Sequence, residues 1–265
     1  NSMTKDYLAI DVGGTRLKVG LIDRSGNIIE KFSERTNTAG LEAFLGQLRD
    51  VIGRYDGKIR GVGFSLPGKL AHPDDTIKGG GSLTFMDGVN LRDKLALDIP
   101  IAVENDGKAA ALAELWLGQL KDVQDGMAIV LGTGVGGGLV LNGNLVYGTH
   151  FQAGELSFIF NQLEKGMDTS IGLNGSAVEM IKRIGTELKL PEIDDGLAVF
   201  EHINAGNPVA VDIFDAYAAE IALLIQNIQA IVDVQRIVIG GGISAQPIVA
   251  ERIRDQYMTF FEGNE

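Results

Sequence analysis

The sequence predicts an α/β protein built from two duplicated domains, 1–118 and 119–265. Three observations lead there. Short β-branched runs alternate with stretches of helical periodicity. A strand–turn–strand–turn–strand pattern occurs twice, nearly half the chain apart. The 36 glycines, against only 6 prolines, gather at 13–14, 79–81, 132–138 and 240–242, each beside an apolar run rather than in a linker.

Tyr7-Leu-Ala-Ile-Asp-Val12 reads as a strand ending in Gly13-Gly14-Thr15. A second strand runs from Arg16 to Ile22, Asp23–Asn27 turns the chain, and a third strand runs from Ile28 to Arg35. Leu41, Phe44, Leu45, Leu48, Val51 and Ile52 then recur at helical spacing. Ile59–Ser65 is a buried strand entering the turn Leu66-Pro67-Gly68, and residues 72–90 read as loops with short strands. Pro100–Val103 is another strand. It stops at Glu104-Asn105-Asp106-Gly107, before an Ala-rich helix over 108–117 that Gly118 ends. From Met127 the opening pattern returns: strand to Leu131, turn Gly132-Thr133-Gly134, strand Gly138–Leu141, turn Asn142-Gly143-Asn144, strand Leu145–Tyr147. Residues 207–232 carry a long amphipathic helical pattern, and Arg236–Ile239 is a strand ending in Gly240-Gly241-Gly242-Ile243-Ser244.

Composition narrows the function. With 45% hydrophobic and 22% charged residues the chain is an ordinary globular one, which excludes disordered, collagen-like and coiled-coil readings. A net charge of −12 with no dense Lys/Arg cluster argues against nucleic acid as a partner. No cysteine is present, so disulfides, thiol nucleophiles and Cys-based zinc sites are excluded. His72, His150 and His202 are too scattered to form a ligand cluster on spacing, and each is read as an ordinary structural or surface histidine. With no signal peptide or membrane-length apolar run, a cytoplasmic protein is expected, free of membrane partners. Asn1-Ser2 before Met3 reads as a vector remnant.

Several constellations carry chemistry, each with a plainer alternative. The two Gly/Thr turns (Gly13, Gly14, Thr15 and Gly132, Thr133, Gly134) can each aim backbone N–H groups at phosphate oxygens, or serve only as hairpin turns. Neither is a P-loop, because no Gly-Lys-Ser/Thr follows. Asp11 beside the first turn implies a Mg²⁺ between carboxylate and phosphate, held through water, or else caps the turn. Asn105-Asp106 stands where a strand meets a helix: Asp106 suits a general base and Asn105 a hydroxyl partner, yet both are favoured helix caps. Glu155 could hold two sugar hydroxyls or lie in an exposed loop. Gly240, Gly241 and Gly242 let a flat ring approach the backbone, or make a tight turn. Arg16, Lys18 and Lys108 are read as solvated charges, although Lys18 is also counted with the phosphate side; Gly80, Gly81 and Asn90 are counted with the substrate side.

Together these motifs resemble the ROK family of bacterial sugar kinases and repressors, within the actin/hexokinase/Hsp70 (ribonuclease H-like) ATPase fold. Ile10–Thr15, Glu104–Gly107 with its helix to Glu114, Leu131–Gly138, Ala153-Gly154-Glu155 and Ile239–Ser244 occur in the family's order. The resemblance implies two actin-like domains with a ligand cleft between them. ATP phosphates would lie on both Gly/Thr turns and adenosine near 240–244. Asp106 would be the base, with Asn105 and Glu155 on sugar hydroxyls, and a homodimer is implied.

The departures bear on substrate. Family kinases place a His where this chain has Phe158, and they carry a Cys-rich zinc loop where residues 161–180 stand, with Gly172, Asn174, Gly175 and Ser176. Glu179 is shifted by a position from the family's second sugar-binding Glu, and Lys108 replaces an Asn. No zinc is therefore expected, and Phe158 with the Gly79-Gly80-Gly81 loop points to the zinc-free branch resembling β-glucoside kinases, with a disaccharide or aryl glucoside as substrate. The chain stops about twenty residues after the Gly240 motif, sooner than family members do, so part of a C-terminal helix is expected to be missing from this sequence. The alternative function is a non-catalytic sugar sensor or regulator. A regulator would need a DNA-binding helix-turn-helix, for which the lead before Tyr7 is too short.

Overall fold

A computed structural model describes residues 5–163, 166 and 169–261. The Asn1-Ser2-Met3 lead and part of the 161–180 segment lie outside the described residues. The chain forms two compact units, one running to Ala109 and including Tyr147–Gln152, the other comprising Ala110–Val146 and the residues from Ala153 onward. The division falls inside a helix rather than at Gly118, and the second unit is interrupted by six residues that pack with the first.

In the first unit, β1 (Asp6–Val12), β2 (Arg16–Ile22) and β3 (Ile28–Arg35) form an antiparallel meander, followed by α1 (Leu41–Gly53) and β4 (Ile59–Leu66). Two short strands, β5 (Lys69–Leu70) and β6 (Ile77–Lys78), and a short helix α2 (Leu91–Leu95) lead to β7 (Ile101–Asn105). The sheet order is β3-β2-β1-β4-β7, with β1, β4 and β7 parallel. Period-two burial puts Leu8, Ile10 and Val12 of β1 on one face. Against the core, α1 buries Phe44, Leu45, Leu48, Val51 and Ile52 from its apolar stripe. Each such side chain contributes about 1.5–3 kcal/mol by leaving water.

The helix α3 (Asp106–Leu117) follows β7 directly. In the second unit β8 (Gly126–Leu131), β9 (Val135–Leu141) and β10 (Asn144–Leu145) repeat the meander. Five helices come next: α4 (Ile171–Asn174), α5 (Ala177–Glu187), α6 (Gly196–Asn204), α7 (Pro208–Val232) and, after β11 (Arg236–Gly240), α8 (Pro247–Thr259). The order β10-β9-β8-β11, with β11 parallel to β8, reproduces β3-β2-β1-β4 strand for strand. The duplication read from the two Gly/Thr turns is thus present in topology. One element differs: β10 is only two residues long, and Val146 donates to Leu139 before the chain leaves the sheet, so Tyr147 is not a strand residue. No helix among the described residues is long and apolar enough to cross a membrane.

Candidate functional site

Within the first unit the carboxyl ends of three parallel strands bring the chemical residues to one rim, where open α/β sheets bind ligands. Asp11 of β1 is in register with Ser65 of β4, and Ser65 with Glu104 of β7. Asp11 is exposed and lies opposite Lys18 across the β1–β2 ladder, so acid and base share a face beside the first turn; Lys18 is exposed as well. That turn is closed by Gly13 N–H donating to Arg16 C=O at 3.0 Å. Thr36, which the sequence did not single out, fastens it from the side: its hydroxyl donates to Gly13 C=O at 2.7 Å and its N–H to Thr15 C=O at 2.9 Å. Thr15 itself is exposed. Gly14 leaves room for Ser82: a Cβ there would lie 2.0 Å from Ser82 Oγ and 3.2 Å from its Cβ, so the serine would have to turn aside. Ser82 follows Gly79, Gly80 and Gly81, whose φ values of +95°, +66° and +58° are left-handed conformations open to glycine.

Asn105 is 5% exposed and its polar atoms are engaged. Its Oδ1 accepts the N–H groups of Gly107 at 3.0 Å and Lys108 at 3.3 Å, while its Nδ2 donates to Gly68 C=O. It therefore caps the start of α3. Asp106 is exposed at the first position of the helix, and one of its oxygens accepts Gly107 N–H at 2.8 Å. Lys108 departs from the solvated surface charge read in the sequence: it is 2% exposed. Asn90 caps α2 through Asp93 N–H and donates to Asp74 C=O at 2.8 Å. His72, read as ordinary, lies against Asp75, Glu104, Tyr147 and Phe151. His150 is exposed and His202 sits in the last turn of α6.

In the second unit Gly132 N–H donates to Gly134 C=O, and the amino end of α5 closes on the same turn, with Ala177 N–H to Gly132 C=O at 2.9 Å. Thr133 is exposed at its tip. Ser157 holds the other side, its hydroxyl accepting Val135 N–H at 2.9 Å. Glu155 precedes a 3₁₀ turn over Leu156–Phe158, and Gly154 and Gly137 meet backbone to backbone: a Cβ on Gly137 would stand 2.8 Å from Gly154 C=O. The Gly-Glu segment is thereby seated on β9. Phe158 is 56% exposed, a large apolar surface that its neighbours leave uncovered. Gly240 ends β11, Gly241 adopts φ +96° against the Leu131 backbone, and Gly242 opens a 3₁₀ turn through Ala245.

Among the described residues no group of three His, Cys, Asp or Glu side chains could hold a metal ion. A hard, exposed carboxylate such as Asp11 has the chemistry that Mg²⁺ takes, since that ion is bound by one or two carboxylates and substrate phosphates rather than by an all-protein cage.

The ROK family model matches residues 7–265. A beta-glucoside kinase of Listeria innocua is 30% identical over 262 residues, spanning 95% of this chain and 87% of that protein. A glucokinase of Halalkalibacterium halodurans is 30% identical over 266 residues, 90% of this chain and 80% of that one. In structure, a ROK family glucokinase from Streptomyces griseus in complex with glucose and AMPPNP superposes with a TM-score of 0.88 at 24% identity, covering 98% of this chain and 91% of the other.

Proposed function

The chain belongs to the ROK family, and we propose that it transfers the γ-phosphoryl group of Mg-ATP to a hydroxyl of a hexose-containing glycoside, with Asp106 as general base. It is a sugar kinase: relatives with that activity in their names are 26–30% identical over most of its length. The observation that carries the mechanism is Asp106 itself, an exposed carboxylate at the end of a parallel strand on a helix whose first turn Asn105 fixes. As the sugar oxygen attacks phosphorus, its proton passes to the Asp106 carboxylate, the bridging P–O bond breaks and ADP leaves. Asn105 keeps one Nδ2 N–H beyond its bond to Gly68, enough to donate to a neighbouring hydroxyl. Glu155 would accept two hydroxyls, with Gly80, Gly81 and Asn90 on the same substrate side.

The nucleotide side rests on the turns. Gly13, Gly14 and Thr15 with Lys18, and Gly132, Thr133 and Gly134, would hold phosphates, and Gly240–Gly242 would face the adenosine. Asp11 would hold Mg²⁺, which would neutralise phosphate charge. No zinc is needed in this reading: the chain has no cysteine and Phe158 offers no ligand. The exposed Phe158 ring is an apolar wall, which favours a glycoside with a second ring over free glucose. A homodimer in the cytoplasm, without nucleic acid or membrane partners, completes the proposal.

The test is coupled ADP release with Mg-ATP against glucose, fructose, mannose, N-acetylmannosamine, cellobiose, gentiobiose and an aryl β-glucoside. Sugar-dependent release with cellobiose, gentiobiose or the aryl glucoside preferred is expected. Free glucose far preferred over cellobiose would remove the glycoside assignment, and silence across the panel with sugar still bound would remove the kinase mechanism.

A further inference from the structure

His72 stands between two carboxylates. Its Nδ1 meets Asp75 Oδ1, and its Nε2 lies 3.2 Å from Glu104 Oε2. Carboxylates only accept, and a neutral imidazole has a single N–H, so both contacts together call for the imidazolium. The other groups facing it complete the balance. Asp75, 5% exposed, is held on its second oxygen by Arg92 Nη1 at 2.8 Å. Tyr147 donates its hydroxyl to Glu104 Oε2 at 2.7 Å, and Glu104 Oε1 accepts the N–H of Asn105 at 2.9 Å. Two negative and two positive groups thus neutralise one another. Burial disfavours a charged His72 ring, but the hydrogen bonds to Asp75 and Glu104 outweigh it and raise the pKa above the ordinary 6.5. The ring also meets Tyr147 and Phe151 edge-on, with centroids 5.2 and 6.0 Å away.

The position of this cluster gives it a consequence. Among the described residues β7 is the outer strand of its sheet, paired only with β4, so its last residues have a ladder on one side alone. On the other side the N–H of Asn105 is satisfied by Glu104, the carboxylate that His72 and Tyr147 hold. Asn105 caps α3 and Asp106 follows it. We infer that His72 is a positioning residue for the phosphoryl transfer: clamped between Asp75 and Glu104, it fixes the strand end that delivers Asn105 and Asp106 and anchors the Tyr147–Gln152 segment beside it. The inference rests on the reading of Asp106 as the base.

The experiment measures kcat and KM from about pH 6 to about pH 9 for the full chain, with the best glycoside and Mg-ATP, alongside NMR titration of the His72 ring. Wild-type kcat falls as pH rises through the raised His72 pKa, because the charged ring is the form that holds both carboxylates. His72→Gln lowers kcat roughly 10- to 100-fold with KM for ATP unchanged, and its kcat no longer falls over that range. In Glu104→Gln the His72 titration moves downward. Should His72→Gln fail to fold, Tyr147→Phe, which removes one hydroxyl from Glu104, lowers kcat several-fold. Wild-type kcat and pH profile in His72→Gln, undiminished kcat in Tyr147→Phe, or a His72 titrating at or below 6.5 in the wild type overturns the inference. Asp106→Asn separates the two ideas: full turnover there defeats the base, whereas its loss beside an undiminished His72→Gln defeats the positioning role alone.

Discussion

Asn105→Ala removes three hydrogen bonds at once. The two N–H groups of Gly107 and Lys108, at 3.0 and 3.3 Å from Oδ1, lose their cap, which costs about 1 kcal/mol. The carbonyl of Gly68 loses its Nδ2 donor, and an unsatisfied buried acceptor adds about 1–3 kcal/mol. The total of about 2–4 kcal/mol corresponds to a melting-temperature decrease of about 4–7 °C for a chain of this size. Turnover falls further than stability implies, because a shift of about 1 Å in Asp106 costs about 10²-fold. Asn105→Asp keeps an oxygen at the cap and replaces the donor facing Gly68 by an acceptor, so it retains the helix start while still losing the Gly68 bond. Thermal melts and kcat on the three proteins decide the matter. If Asn105→Ala melts with the wild type and turns over normally, the cap does not position Asp106 and the reasoning fails.

Other outcomes follow from the same geometry. Asp106→Ala keeps sugar binding by calorimetry but loses about 10²–10⁴ in kcat. Gly14→Ala forces a Cβ to 2.0 Å from Ser82 Oγ, costing about 1–3 kcal/mol and raising KM for ATP, and the added change Ser82→Gly restores much of both. Gly137→Ala presses on Gly154 C=O and on Leu156, so KM for sugar rises while KM for ATP holds, read by steady-state kinetics. The raised His72 pKa makes its stabilising contribution complete below pH 6.5 and lost as pH rises through the folded value, so the wild type and His72→Gln differ more in melting temperature at acidic than at alkaline pH.

Local chemistry made much of this molecule legible from the residues alone. The β1–β3 meander, its repeat and the strand-to-helix junction at Asn105-Asp106 all depend on neighbours within a few positions, and periodicity with glycine placement reveals them. What escaped depends on distant partners. Thr36 fastens a turn more than twenty residues away, and His72 meets Glu104 and Tyr147, neither nearby in sequence. Lys108 reads as a surface charge because its burial is set by packing rather than by its helical position. The short β10 has the same origin, since Tyr147 leaves the sheet to pack with the first unit.

The capping role of Asn105 is compatible with the role toward a sugar hydroxyl proposed for it. A capping asparagine is held by the helix it starts and by the carbonyl it donates to, so its orientation is set before any ligand arrives. Its remaining Nδ2 N–H is then aimed by the fold, and preorganised donors of this kind cost no reordering when substrate binds. Asn90 has the same form at α2, with Oδ1 on Asp93 N–H and Nδ2 on Asp74 C=O. The distinction between them lies in what comes next: Asn105 is followed by an exposed carboxylate at the end of a parallel strand, and Asn90 by the buried Leu91. Alanine at Asn90 therefore reduces stability by about 1 kcal/mol and shows its effect on activity in KM for sugar rather than in kcat, whereas alanine at Asn105 damages both stability and kcat.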